Sequence, residues 1–395
     1  SHLPVRRQFT AEGHAVRAGY LYSAMADVAY ETGDPELRTA CQSLFENITE
    51  RRMYITGGMG SSRTGEAFTK DFDLPNATAY AETCAAISLI LFAQRMLLLD
   101  IDGRYADVVE RALYNGFLSG LSLDGRSFFY ENPLEIDLDR YGRDTSIKGG
   151  EVLPIPQRVE VFECSCCPPN VTRLIASVGE YLATYDDHTV FIHQYMSGTA
   201  RWQIGNQAVT LRQETRYPAD GHIRLTIEGA RGMKAALRIP GWCRRYTLLC
   251  GGQPVQAAPE KGYVAVNCLG DMVTLELELD MSPVLLEADP RIHADAGRAA
   301  LQRGPVVYCV EGADHEGAVH DLLVDGWLKA RTEELPGMPL PVVRAAGWRR
   351  PRPEPGCPYR PLRENLQPLE LTYIPYFAFA NRGESDMLVW VPVRR

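Results

Sequence analysis

The chain has 395 residues, 45% of them hydrophobic and 23% charged, with a formal net charge of −9 at pH 7. That is the composition of a globular protein with room for two or three domains. It excludes a nucleic-acid binder, since no basic run exceeds Arg349-Arg350, and a helical membrane protein, since no apolar stretch nears the ~20 residues a bilayer requires. Residues 1–20 carry neither the basic start nor the apolar core of a signal peptide, and ten cysteines are too sparse for a disulfide scaffold at this length. A reducing, cytoplasmic setting is therefore expected, with Cys243, Cys250, Cys268, Cys309 and Cys357 as plain packed thiols.

Residues 1–183 read as mostly helical. Val16, Tyr20, Ala24 and Val28 recur with helical spacing over 14–32, and Gly33-Asp34-Pro35 ends the run. A second helix is predicted over 35–50, from Leu37, Cys41, Leu44, Phe45 and Ile48. A long loop rich in Gly, Ser, Asp and Pro follows to Thr78, a length usually reserved for function. Helices over 80–99 and 103–122 are joined by Asp100-Ile101-Asp102-Gly103, a polar loop covers 124–160, and a helix over 171–185 carries Val171, Leu174, Ile175 and Val178 on one face. After Asp186-Asp187 the texture changes to short alternating strands around 189–195, 208–211, 223–227 and 273–277, which suggests a β-sandwich. Residues 299–395 again read as β-structure, ending in Met387-Leu388-Val389-Trp390-Val391. The five tryptophans, Trp202, Trp242, Trp327, Trp348 and Trp390, lie in these β regions and are expected in their cores.

Chemistry concentrates in Glu163-Cys164-Ser165-Cys166-Cys167-Pro168-Pro169-Asn170, where three cysteines fall within four positions. Adjacent cysteines rarely bridge each other, so a metal is the more natural partner. Thiolate-rich sets favour zinc, though the spacing is not that of a zinc finger. Cys166 and Cys167 can reach one ion only from a bent backbone, and Pro168 is expected to push Cys167 out of the α region. Glu82-Thr83-Cys84 is the second element. Residues two apart on a helix face opposite ways, so Glu82 and Cys84 share an ion only if the helix begins near Thr83. Spacing alone leaves this open: Glu82 also reads as a capping carboxylate and Cys84 as a buried helix thiol.

Several segments together resemble glycoside hydrolase family 127: Gly13-His14-Ala15-Val16-Arg17, Tyr54-Ile55-Thr56-Gly57-Gly58, Gly65-Glu66-Ala67-Phe68, Asp73-Leu74-Pro75-Asn76, Tyr80-Ala81-Glu82-Thr83-Cys84-Ala85 and the Cys164–Asn170 run. Arg111–Asn115 and Gln302–Tyr308 are also similar to family segments. The resemblance covers essentially the whole chain, as the C-terminal portion of such an enzyme. It implies a multidomain α and β fold: residues 1–183 as the C-terminal part of an (α/α)6 catalytic barrel, then β-sandwich domains over 184–287 and 288–395. Five helices are readable where the family barrel has twelve.

The resemblance further implies a hydrolase, a retaining exo-glycosidase that releases L-arabinofuranose from non-reducing-end β-L-arabinofuranosides. Zinc would be held by Glu82, Cys84, Cys166 and Cys167, with Cys166 as nucleophile, Glu66 as acid/base and His14 lining the sugar site. Cys164 would be a packed non-ligand. The implied partner is a small oligosaccharide or glycoside, with no nucleic acid or membrane, and a homodimer through the C-terminal β-sandwich. The alternatives are a glycosidase of this fold acting on another unusual sugar, a non-catalytic protein with structural zinc, and a thiol redox protein using the Cys164–Cys167 cluster.

Overall fold

A computed structural model describes residues 2–141, 153–351, 359, 361 and 365–394. Part of the expected 124–160 loop, residues 142–152, and Cys357 lie outside the described residues.

Helix α1 (Ala15–Thr32) closes on Gly33, which takes the left-handed φ of 66° that a C-cap needs. Helix α2 (Pro35–Arg51) opens with Pro at its first turn while the Asp34 side chain accepts from the amides of Glu36 and Leu37. Helix α3 (Thr83–Leu99) is apolar almost all round and runs through the middle of the helical region. Gly19 of α1 lets the two helices approach, because a Cβ there would collide with Ser88 of α3. Helix α4 (Gly103–Arg111) is capped by Asp102 and continues through a π-turn over Ala112–Phe117. Phe45, Phe92, Tyr22 and Tyr105 fill the space between these helices with tilted and edge-on rings.

Helix α5 departs from expectation. It spans Cys167–Ser177, starting four residues early, and a short 3-10 turn over Val178–Tyr181 replaces its predicted end. Pro168 and Pro169 are accommodated because a first-turn residue has no intrahelical use for its amide. Cys167 is therefore the first helical residue rather than a bent one, and Cys166 before it is itself in the αR region at φ −72°, ψ −26°. Ala183–Tyr185 leaves the helix to form a hairpin with Thr189–Ile192, turned by Asp186, which accepts from the amides of His188 and Thr189.

The β region holds three sheets. A four-stranded sheet runs in the order 263–267, 234–238, 189–192, 183–185, with the middle pair parallel. A six-stranded antiparallel sheet runs 198–204, 207–215, 222–228, 272–279, 246–250, 253–254. Both face one core that includes Ile192, Leu237, Ile223, Leu225 and Leu275. The third sheet has ten strands, and six of them pair round a closed ring: 306–311, 367–375, 342–349, 322–325, 390–394 and 298–303, which returns to 306–311. Its inner face carries Leu301, Tyr308, Val310, Val343 and Tyr373.

Two further expectations are corrected. The 124–160 stretch is not simply a polar loop: Phe128, Phe129 and Leu134 are buried, and Glu135–Ile136 pairs with Met387–Leu388 at the edge of the third sheet. Trp327 is not a core residue but 84% exposed, while Trp390 is buried as expected. Cys268 and Cys309 are buried, whereas Cys243 and Cys250 are only partly so. Among the described residues no helix is long and apolar enough to cross a membrane.

Candidate active site and metal centre

The site forms where α3 and α5 begin. Residues 80–83 lie in an extended stretch beside 128–132: Thr83 donates its amide to Tyr130 O at 2.9 Å, and Glu82 and Glu131 face each other in an isolated antiparallel bridge. Asn132 locks the pairing, its amide group donating to Ala81 O at 2.9 Å and Thr83 Oγ1 at 3.0 Å. Glu82 is thus the extended residue just before α3, at φ −57° and ψ 140°, and Cys84 lies in its first turn. The change from extended to helical backbone between them turns both side chains the same way.

Helix α5 brings Cys166 and Cys167 to the same point. The three sulfurs are 3.6, 3.7 and 3.9 Å apart, and Cys166 Sγ lies 3.4 Å from Glu82 Oε1. A tetrahedral zinc with sulfur bonds of about 2.3 Å and an oxygen bond of about 2.0 Å has S–S edges of about 3.8 Å and S–O edges of about 3.5 Å. The four donors therefore fit one tetrahedral ion, and all lie within 4.8 Å of one another.

Four potential anions in a buried space disturb one another. Burial, then the neighbouring Cys166, pushes the Glu82 carboxyl up to about 8. Hydrogen bonding from Cys166 and Cys167 lowers the Cys84 thiol to about 5, and the same sharing drives Cys167 up. A divalent cation would remove this conflict. Glu82, Cys84 and Cys167 are buried, and Cys166 alone of the four is partly open. Cys164 lies outside the quartet and is exposed rather than packed, because the chain enters α5 along the surface.

Glu66 and His14 come together beside this centre. His14 Nε2 is 2.5 Å from Glu66 Oε2, and the Tyr130 hydroxyl donates to Glu66 Oε1 at 3.2 Å. Glu66 sits at φ 53°, a left-handed conformation uncommon outside glycine, following Gly65 at φ 72°. Tyr130 packs in the same small cluster as Cys84, Cys166 and Cys167, which places Glu66 beside the sulfurs.

The sequence did not single out Tyr130, Tyr80, Glu131 or Asn170. Tyr80 donates to Glu82 Oε2 at 2.8 Å. Asn170, in the first turn of α5, accepts from the Tyr20 hydroxyl at 2.7 Å. Glu131 is buried, pairs with Arg63 at 3.4 Å, and is pushed up to about 7 by its burial. Tyr80 and Asn170 stood within the motifs already quoted, and only their contacts reveal their use.

Residues 1–180 match the family description "Beta-L-arabinofuranosidase, GH127 catalytic domain", 189–281 the GH127 middle domain and 283–392 the family 127 C-terminal domain. The chain belongs to glycoside hydrolase family 127. It is 40% identical over 407 residues to a family 127 relative from Bifidobacterium longum subsp. longum, named non-reducing end β-L-arabinofuranosidase, covering 98% of this chain and 60% of that protein. The chain thus spans about 60% of the length of the curated relative it matches. The crystal structure of a GH127 β-L-arabinofuranosidase from Geobacillus stearothermophilus T6 superposes with a TM-score of 0.94 at 43% identity, over 100% of this chain and 62% of that one. Another solved glycoside hydrolase gives a TM-score of 0.91 at 33% identity, over 100% of this chain and 68% of that one.

Proposed function

We propose that this chain carries the chemistry of a retaining exo-glycosidase that releases L-arabinofuranose from non-reducing-end β-L-arabinofuranosides. In this reading residues 1–183 are part of an (α/α)6 catalytic barrel. Residues 184–287 and 288–395 are two β-sandwich units, the second with its sheets joined edge to edge. Zinc is the ion that suits three thiolates and a carboxylate at tetrahedral spacing. Glu82, Cys84, Cys166 and Cys167 would hold it. Bound there, it would keep its sulfur ligands ionised at neutral pH and fixed in position.

The observation that carries the reading is that, of the three clustered cysteines, only Cys166 is partly open, and Tyr130, which bonds Glu66, packs in the same cluster. A retaining mechanism needs such a nucleophile with a carboxylic acid within reach of the same anomeric carbon. Cys166 attacks C1 as the glycosidic C1–O bond breaks, and Glu66 gives its proton to the leaving oxygen. Water then bonds to C1, losing its proton to the Glu66 carboxylate as the C1–S bond breaks. His14 would orient Glu66 and line the sugar site beside it.

The test is hydrolysis of an aryl β-L-arabinofuranoside with the metal content measured in parallel. Cys166→Ser is expected to lose turnover, and turnover retained in that variant would remove the thiolate from the mechanism. Glu66→Gln is expected to slow substrates with poor leaving groups far more than activated aryl glycosides. An equal loss on both would argue against its acid role.

A further inference from the structure

A second group of ligating side chains lies on the third sheet, on residues distinct from the cysteine centre. Asp137, His320 and Asp386 each offer one donor atom within 4.8 Å of the other two, and all three residues are half-buried. They come from three separate segments. Asp137 follows the edge strand Glu135–Ile136, whose partner strand Met387–Leu388 begins one residue after Asp386. His320 precedes the strand Leu322–Asp325.

The backbone fixes the two carboxylates. Asp386 Oδ1 accepts the Leu138 amide at 2.8 Å, and Asp137 Oδ1 accepts the Asp139 amide at 3.1 Å. The His320 ring has an oxygen on either side, Ile136 O at 3.3 Å from Nε2 and Glu135 Oε1 at 3.9 Å from Nδ1. A neutral imidazole has one N–H and satisfies only one of them. The nearby Arg298 is engaged by Glu135 at 3.0 Å.

We propose that Asp137, His320 and Asp386 form a second divalent-cation site, for a borderline ion of the manganese-to-zinc class. One imidazole nitrogen and two carboxylate oxygens are the donors such ions take, with water completing the shell. This set has no sulfur, so it selects differently from the cysteine quartet. A bound ion would tie the turn after strand 135–136 to the segments that precede strands 322–325 and 387–388, and neither the quartet nor Glu66 is involved.

The experiment uses the full chain with its cysteine centre loaded with zinc, titrated with Mn2+ while electron paramagnetic resonance follows the free ion. One Mn2+ per chain is expected, with spin-echo modulation from a directly bound imidazole nitrogen in the unmutated protein. His320→Ala and Asp386→Asn should each weaken uptake by roughly tenfold or more. Asp386→Asn retains an oxygen for the Leu138 amide, which keeps the local fold, and circular dichroism checks both variants. Cys166→Ser should leave Mn2+ uptake unchanged. The proposal is overturned if no Mn2+ is taken up at about 1 mM free ion, if the bound ion shows no imidazole nitrogen, or if uptake survives both variants or fails in Cys166→Ser.

Discussion

Glu66 rests one carboxylate oxygen on His14 and the other on Tyr130, residues 52 and 64 positions away from it in the chain. Its left-handed backbone leaves little else to fix its rotamer, so the two contacts set where its proton would be delivered. Tyr130 packs in the same cluster as Cys166, and removing its hydroxyl would loosen the Glu66 carboxylate. Tyr130→Phe is expected to lower kcat by about 10- to 100-fold with little change in KM, on the scale of a lost hydrogen bond to a charged group, while bound metal is unchanged. Steady-state kinetics with metal analysis checks this; full activity would show that His14 alone suffices. At this scale the sequence was most readable where covalent spacing does the positioning. Glu82-x-Cys84 needed only a helix start at Thr83, whereas Cys166-Cys167 was expected on a bent backbone and instead opens α5. Tyr130 was opaque because it reaches the site through non-local pairing of 128–132 with 80–83.

Element boundaries followed their caps. Asp34, Asp102 and Gly33 marked helix ends legibly, since their side chain or backbone freedom does the capping. The start of α5 was not legible, because a Pro pair marks a first turn as well as a break. The start of α3, on which the geometry of the Glu82 and cysteine cluster depends, is held by a glycine whose role no pattern reveals. A Cβ at Gly120 would press into the Thr83 side chain, while Thr83 Oγ1 donates to Phe129 O at 2.7 Å. Gly120→Ala should therefore cost about 1–3 kcal/mol in urea unfolding and lower metal affinity by displacing Glu82. An unchanged metal affinity would mean that the helix start is held elsewhere. The strand end at His193 makes a pH-dependent counterpart. Its ring is buried between Thr184 Oγ1 and the Tyr263 hydroxyl, each at 2.7 Å, and burial, with Arg238 adding to it, holds the imidazole down at about 3. The unfolded chain, with His near 6.5, binds this proton first, so stability is full above about 6.5 and falls as pH drops towards 3. The loss on full protonation is on the order of 5 kcal/mol. His193→Gln should be less stable at pH 7 yet show a shallower loss between pH 6.5 and 4.5, measured by urea melts at each pH. Parallel curves for the two proteins would exclude His193 as the group responsible.

Across the whole molecule, the sequence announced the change from helix to strand near residue 186. It did not announce that the strands of 298–394 close a ring, because ring closure depends on which edges meet and not on strand pattern. Nor did it reveal how the helical and β regions are joined. Asn115 makes one such joint, donating to Pro305 O at 2.9 Å and accepting the Val307 amide at 2.7 Å. The larger joint is ionic and buried. Arg238, fully enclosed on strand 234–238, reaches back to α4 and bonds Glu110 at 2.6 Å and Asp107 at 2.5 Å. Glu110 is itself buried and accepts from the Tyr217 hydroxyl at 2.6 Å and from Trp242 Nε1 at 3.0 Å. Such a cluster joins the two regions only while it is complete, since each charge was desolvated to make it. Arg238→Met would leave Glu110 buried with two neutral donors and without its ion-pair partner. The expected cost is about 3–5 kcal/mol of unfolding free energy, with the helical and β regions melting apart rather than together. Denaturation followed by tryptophan fluorescence, which reports the β regions where all five tryptophans lie, and by far-UV circular dichroism at 222 nm, which weights the helices, would expose this. Coincident curves with a loss below about 1 kcal/mol would mean that packing around the four-stranded sheet, and not the buried charges, joins the two regions.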